Sequence, residues 1–144
     1  MFLNWYIHSL DSKNRLTLPA KFRDRLALGV VIALHPSDRC LLLFPQAKWD
    51  ELAEKIEGLA LFNPTAAALR RSLFGTAEDL KLDGQGRIVI NQFLREKAAI
   101  LEEVRVTGAS TFLELWNPEL WEEHVEKPLR NGEVRPSLFA DLGI

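Results

Sequence analysis

The sequence predicts an α+β protein in which one strand–turn–strand–helix–hairpin–helix unit occurs twice in tandem. Three observations predict it. Shifting the 144-residue chain by half its length aligns it with itself without a gap, the mark of a repeated supersecondary unit. The matches include Leu10/Leu82, Asp11/Asp83, Arg15/Arg87, Arg23/Arg95, Leu41/Leu113, Leu43/Leu115 and Trp49/Trp121, with conservative pairs such as Leu16/Ile88, Leu18/Ile90 and Phe44/Trp116. Short β-branched or alternating runs bounded by turn residues are followed by stretches of helical spacing. Finally, 47% hydrophobic and 26% charged residues supply one ordinary core, but a unit of about 55 residues is too small to stand alone. Two copies must therefore pair, with pseudo-twofold symmetry, and leftover sheet edges favour oligomers.

In the first copy, Phe2 to Leu10 is rich in aromatic and branched residues and predicts a strand. Asp11-Ser12-Lys13-Asn14 is turn chemistry, with Asn14 suited to a positive φ. Arg15-Leu16-Thr17-Leu18 alternates as a second short strand. Pro19 can open a helix at its first position, Phe22 and Leu26 share its apolar face, and Gly29 ends it. Val30 to Leu34 and Cys40 to Phe44 form a hairpin. Pro45 opens another helix with Trp49, Leu52, Ala53 and Ile56 inward. Asn63-Pro64 starts a linking helix. The second copy repeats the order: Asp79 to Leu82, the turn Asp83-Gly84-Gln85-Gly86, Arg87 to Ile90, a helix capped by Asn91, strands at 104–106 and 112–115, and a helix opened by Asn117-Pro118. The predicted boundaries are 1–58, a linker at 59–74, 75–127, and a tail at 128–144. In that tail Asn131-Gly132 and Pro136 break periodicity, so it is expected to be loose or docked late.

Several function classes lose support. Cys40 is the only cysteine and lies in an apolar run, so it reads as core. His8, His35 and His124 have no ligand spacing, no nucleophile–base pair is visible, and Gly84/Gly86 make no phosphate-binding loop. An enzyme is not expected, nor any metal or cofactor. The longest apolar run, Val30 to Leu34, is far below the roughly 20 residues that span a bilayer, and Met1 to Tyr6 does not read as a signal peptide. A cytoplasmic chain without a membrane partner is expected.

The net charge is −2, but unevenly spread: 1–72 carries ten basic and seven acidic residues, 73–144 eight and thirteen. The basic excess concentrates at Lys13, Arg15, Lys21, Arg23 and Arg25, where a polyanion would dock. Within it lies Asp11-x-x-x-Arg15, repeated as Asp83-x-x-x-Arg87. A turn Asp can accept from backbone N–H groups and also pair with the Arg. A guanidinium held this way is poised for phosphate or a guanine edge. The bland alternative is a turn staple. The basic setting favours nucleic acid for Asp11/Arg15; the acidic or neutral setting favours the staple for Asp83/Arg87. Trp49 and Trp121 read as core, and Arg70-Arg71 as a solvated face.

Met1-Phe-Leu, Asp11-Ser-Lys-Asn-Arg-Leu-Thr-Leu-Pro-Ala-Lys-Phe-Arg-Asp-Arg25, Cys40-Leu-Leu-Leu-Phe-Pro45, Asp83-Gly-Gln-Gly-Arg-Ile-Val-Ile90 and Leu113-Glu-Leu-Trp116 together resemble the bacterial MraZ family. The resemblance runs from Met1 to about Lys127. It implies two AbrB-like (SpoVT-type) swapped-hairpin half-domains in a pseudo-twofold arrangement, forming a small β-barrel with flanking helices. It implies a homo-oligomeric ring, an octamer or dodecamer. It also implies a nucleoid-associated transcriptional regulator that binds direct repeats in double-stranded promoter DNA of the division and cell-wall gene cluster. DNA contacts carry over to Arg15 and Lys13, and less directly to Lys21, Arg23 and Arg25. Asp11, Asn14, Asp83 and Arg87 fall to turn structure. The family usually has Gly where this chain has Asn14, and the second copy has Asn91 where the first has Pro19. The alternative is a ring-forming protein-interaction scaffold that does not touch DNA.

Overall fold

A computed structural model describes residues 1–134 and 137–143. Its elements follow the repeat. The first copy holds β1 (Trp5–Ser9), β2 (Arg15–Thr17), a 3₁₀ turn (Ala20–Phe22) running into α1 (Arg23–Leu26), β3 (Val30–Leu34), β4 (Leu41–Pro45) and α2 (Gln46–Glu57). The connection is α3 (Pro64–Leu73). The second copy holds β5 (Glu78–Leu80), β6 (Arg87–Val89), α4 (Gln92–Lys97), β7 (Glu103–Gly108), β8 (Leu113–Trp116) and α5 (Pro118–Trp121). A π-helical turn (Glu122–Glu126), α6 (Lys127–Arg130) and α7 (Leu138–Asp141) follow.

The topology exchanges strands between the copies. Six antiparallel strands run in the order β1-β7-β8-β4-β3-β5. The hairpins β3–β4 and β7–β8 meet at the centre through Leu41–Leu115 and Leu43–Leu113. Each outer strand belongs to the opposite copy's hairpin: β1 pairs with β7, and β5 with β3. The order reads the same from either end when copies are interchanged, as a pseudo-twofold requires. The remaining strands, β2 and β6, pair only with each other, Leu16 opposite Ile88. One core cluster unites both copies, including Leu16, Leu18, Phe22, Ile32, Leu43, Ile88, Ile90, Leu94, Val104, Val106 and Leu115. Neither copy could bury these side chains alone, as the length argument required.

The strands do not close into a barrel. Among the described residues the six-stranded sheet ends on β1 and β5, and the β2–β6 pair is a separate ribbon. Three-residue strands supply too few ladder bonds to bridge both edges. The helix after the second hairpin also differs from its counterpart α2. Pro128 has no N–H and its ring crowds the carbonyl four residues back. The Lys127 N–H accordingly reaches five residues back to the Glu122 carbonyl, a one-turn π insertion. Helical structure continues to Arg130 and resumes in α7, so the tail is less irregular than expected. Pro136, one of its expected breakers, lies outside the described residues.

Helix starts follow the predicted chemistry. Asn63, Asn91 and Asn117 accept from the backbone N–H groups of Ala66, Leu94, and Glu119 with Leu120. Gly29 sits at φ +122, which only glycine adopts without strain. Cys40 is fully buried, which raises its thiol pKa and keeps it protonated.

Candidate nucleic-acid interface

Both Asp-x-x-x-Arg turns fold identically. Asp11 Oδ1 accepts from the backbone N–H groups of Lys13 and Arg15, each at 2.9 Å, while Oδ2 accepts from Arg15 Nε at 2.6 Å. Asp83 does the same for Gln85 and Arg87, its Oδ2 at 2.7 Å from Arg87 Nε. Each turn closes through a left-handed residue, Asn14 at φ 59 and Gly86 at φ 74. Asn is the ordinary substitute for glycine there. The turns also lock together: Leu18 N–H donates to the Gly86 carbonyl and Ile90 N–H to the Asn14 carbonyl. The short charge-assisted bonds from each Arg Nε to its aspartate fix the guanidinium planes. Among the described residues no protein acceptor takes the terminal Nη groups of Arg15 or Arg87.

Hydrogen bonds to the charged form hold both carboxylates ionised. The Arg15 backbone N–H is the largest cause lowering the Asp11 pKa, and the Arg87 backbone N–H acts likewise on Asp83, which falls to about 2. The sign follows: a carboxylate depressed on folding stabilises above its unfolded pKa near 3.8, and that contribution is lost as pH falls towards 2. A carboxyl NMR titration should place the Asp83 midpoint near 2, with the Arg87 Nε resonance moving in step. A midpoint near 4 would mean the bracket is not formed.

The β2–β6 ribbon brings the two motifs onto one surface. Leu16 and Ile88 point into the core, so strand alternation sends Arg15, Thr17, Arg87 and Val89 to the opposite face. Arg15 lies opposite Val89 and Thr17 opposite Arg87. The two arginines are thus diagonal neighbours, about 7–8 Å apart by ribbon geometry. The acidic or neutral setting of the second motif points to its turn alone, and no local spacing announces a pairing between strands 72 residues apart.

The other basic residues take different places. Lys13 is exposed on the turn ahead of Arg15. Arg23 is partly committed: its Nε donates to the Leu18 carbonyl, and its side chain fills the space where a Cβ on Gly86 would stand. The equivalent Arg95 bonds the Ile90 carbonyl. Lys21 sits 4.9 Å from the Tyr6 ring centroid and Arg25 5.5 Å from that of Phe2. Both line the aromatic flank beside the ribbon and are not on its face. Two arginines prove structural. Arg70 donates to the carbonyls of Leu59, Ala60 and Leu61 in the loop that follows α2, and at 3.5 Å to that of Ile56 in its last turn, so it pins that loop to α3. Arg105, outward in the Val104-Arg105-Val106 alternation, is held between the rings of Trp5 and Trp121 at 4.1 and 4.2 Å.

Among the described residues no cluster of His, Cys, Asp and Glu could hold a metal ion, and no helix is long and apolar enough to cross a membrane. The family model of the MraZ protein, antitoxin-like, matches twice, at residues 1–72 and 73–136, dividing the chain where the internal repeat does. A protein of Roseiflexus castenholzii is 39% identical over 142 residues, 99% of each chain. One of Herpetosiphon aurantiacus is 47% identical over 122 residues, 85% of each. One of Clostridium acetobutylicum is 37% identical over 144 residues, the whole of both. All three carry the name transcriptional regulator MraZ, which is a regulator's name and not an enzyme's. With the family model matched in both halves and relatives 37–39% identical over 99–100% of the chain, the chain belongs to the MraZ family.

Proposed function

We propose that this chain is a sequence-specific DNA-binding transcriptional regulator that presents its β2–β6 ribbon to the major groove of promoter DNA. One observation carries the reading: two guanidinium groups, each fixed by its own aspartate and each side chain about a quarter exposed (28% and 23%), stand on the outward face of a two-stranded antiparallel ribbon seated on the core. The major groove admits such a ribbon, and arginine is the commonest reader of guanine there. Lys13 at the turn, with Lys21, Arg23 and Arg25 on the adjoining helical segment, supplies phosphate contacts on one flank.

A single acidic protomer making about three phosphate contacts would bind weakly, with a salt slope near −3. A ring of eight or twelve protomers offers many ribbons to successive direct repeats, and linked weak contacts gain about 10²–10⁴ in avidity. Self-association is supported by the unpaired edges β1 and β5 and by the exposed Trp5 and Ile7 on β1, with exposed Leu3 just ahead of it. The target is then the promoter of the division and cell-wall gene cluster, and the site of action the nucleoid. Light scattering during chromatography, with fluorescence anisotropy on duplexes carrying one to four repeats, tests both parts. The expected outcome is a closed oligomer with cooperative binding that rises steeply with repeat number. Equal binding to promoter and random duplexes at every length would sink the proposal in favour of a protein scaffold.

A further inference from the structure

We propose that Val89 is a specificity-determining residue that reads a thymine 5-methyl group beside the base addressed by Arg15. This rests on the DNA-binding reading above and adds what the ribbon selects. The ribbon's outer face holds two Arg-plus-neighbour pairs related by the pseudo-twofold: Arg15 opposite Val89, and Arg87 opposite Thr17. Thr17 and Val89 are equivalent positions, so the symmetry is broken here by exchanging a hydroxyl for a methyl. Val89 is 49% exposed, while its neighbours Ile88 and Ile90 supply the packing beneath.

Chemistry then limits what can face it. Directly opposed residues have Cβ atoms about 4.5–5.5 Å apart, so a base pair beside the one contacted by Arg15 meets the valine methyls. Valine has no donor or acceptor, and a polar base edge pressed against it would lose its water without a replacement. The thymine methyl is the one apolar group the major groove displays. Thr17 beside Arg87 has a hydroxyl that pairs with donors or acceptors and imposes no such demand. One half of the ribbon is therefore selective and the other permissive. A ribbon of two unlike halves has a direction on DNA. Protomers arranged head to tail around a ring would each face the same way, which suits repeats in direct orientation. The flanks break the symmetry likewise: Phe93, 49% exposed, stands where the first copy has Lys21.

The test uses the full chain and a duplex it selects from a random library. Each thymine is replaced in turn by deoxyuridine, which removes only the 5-methyl group. Wild type should lose affinity about fourfold per repeat at one thymine, the value of one buried methyl-sized group. Val89→Ala should bind the thymine duplex about fourfold more weakly than wild type and no longer distinguish the uracil duplex. Val89→Thr, which keeps the strand's β-branched side chain, should bind two repeats in direct and in inverted arrangement with more nearly equal affinity than wild type does. If wild type ignores every uracil while its binding still needs Arg15, the Val89 assignment falls and the DNA-binding reading stands. Thymine discrimination that persists in Val89→Ala would likewise overturn the assignment. Failure to select any duplex would sink both.

Discussion

Arg87→Ala is expected to weaken DNA binding as severely as Arg15→Ala, each by roughly 5- to 150-fold, the 1–3 kcal/mol of a bidentate base contact. The two arginines have the same aspartate bracket, the same strand position and the same outward face, and their side chains are similarly part-exposed. Charge density in the sequence points the other way, since the basic excess surrounds Arg15 alone. Geometry decides between these expectations because a ribbon entering a groove presents its whole face. Anisotropy at several salt concentrations distinguishes the modes of contact. A base-reading arginine costs affinity mainly on the selected sequence, whereas a phosphate contact weakens all sequences and lowers the salt slope by about 1. Lys13→Ala is the reference for the second behaviour. The double variant need not equal the sum of the singles, because diagonal neighbours share a ligand. Retention of full affinity by Arg87→Ala would confine recognition to the first turn and its flank.

The contrast between these arginines shows what was legible in the sequence. The repeat was legible because a half-chain shift leaves marks at every level, from Asp11/Asp83 to Trp49/Trp121. The aspartate–arginine brackets were legible because their partners lie four residues apart, and their turn chemistry is local. The pairing of β2 with β6 was not. It is set by a core that both copies fill together, and only the assembled sheet places Leu16 over Ile88. The open sheet was hidden for the same reason. The two structural arginines left weaker signals. An arginine between valines in an alternating strand must face outward, where aromatic residues of the neighbouring strand can receive it. Arg70 answers backbone carbonyls of the 58–63 loop, which no strand or helix pairs. Pro128 was visible all along, and its consequence for the helix follows from its missing N–H.

Leu16→Ala tests whether the ribbon is seated on the core. Leu16 is fully buried and its cross-strand partner Ile88 is 2% exposed, so neither has room to relax into solvent. Truncating a buried leucine costs about 2–5 kcal/mol through lost transfer energy and the cavity left behind. That is a large part of the roughly 5–15 kcal/mol that holds a domain together. A melting temperature lower by about 6–20 °C is expected from calorimetry, at the few degrees per kcal/mol usual for this size. Val89→Ala, one position beyond Ile88 and on the other face, should change stability by less than about 1 kcal/mol. Strand alternation alone separates the two outcomes. DNA affinity of the surviving folded Leu16→Ala protein should also fall, although Leu16 touches no ligand. Its loss loosens the strand whose Arg15 the turn aims outward. A cost below about 1 kcal/mol would mean that the ribbon floats free of the core, and that its arginines are not pre-organised at all.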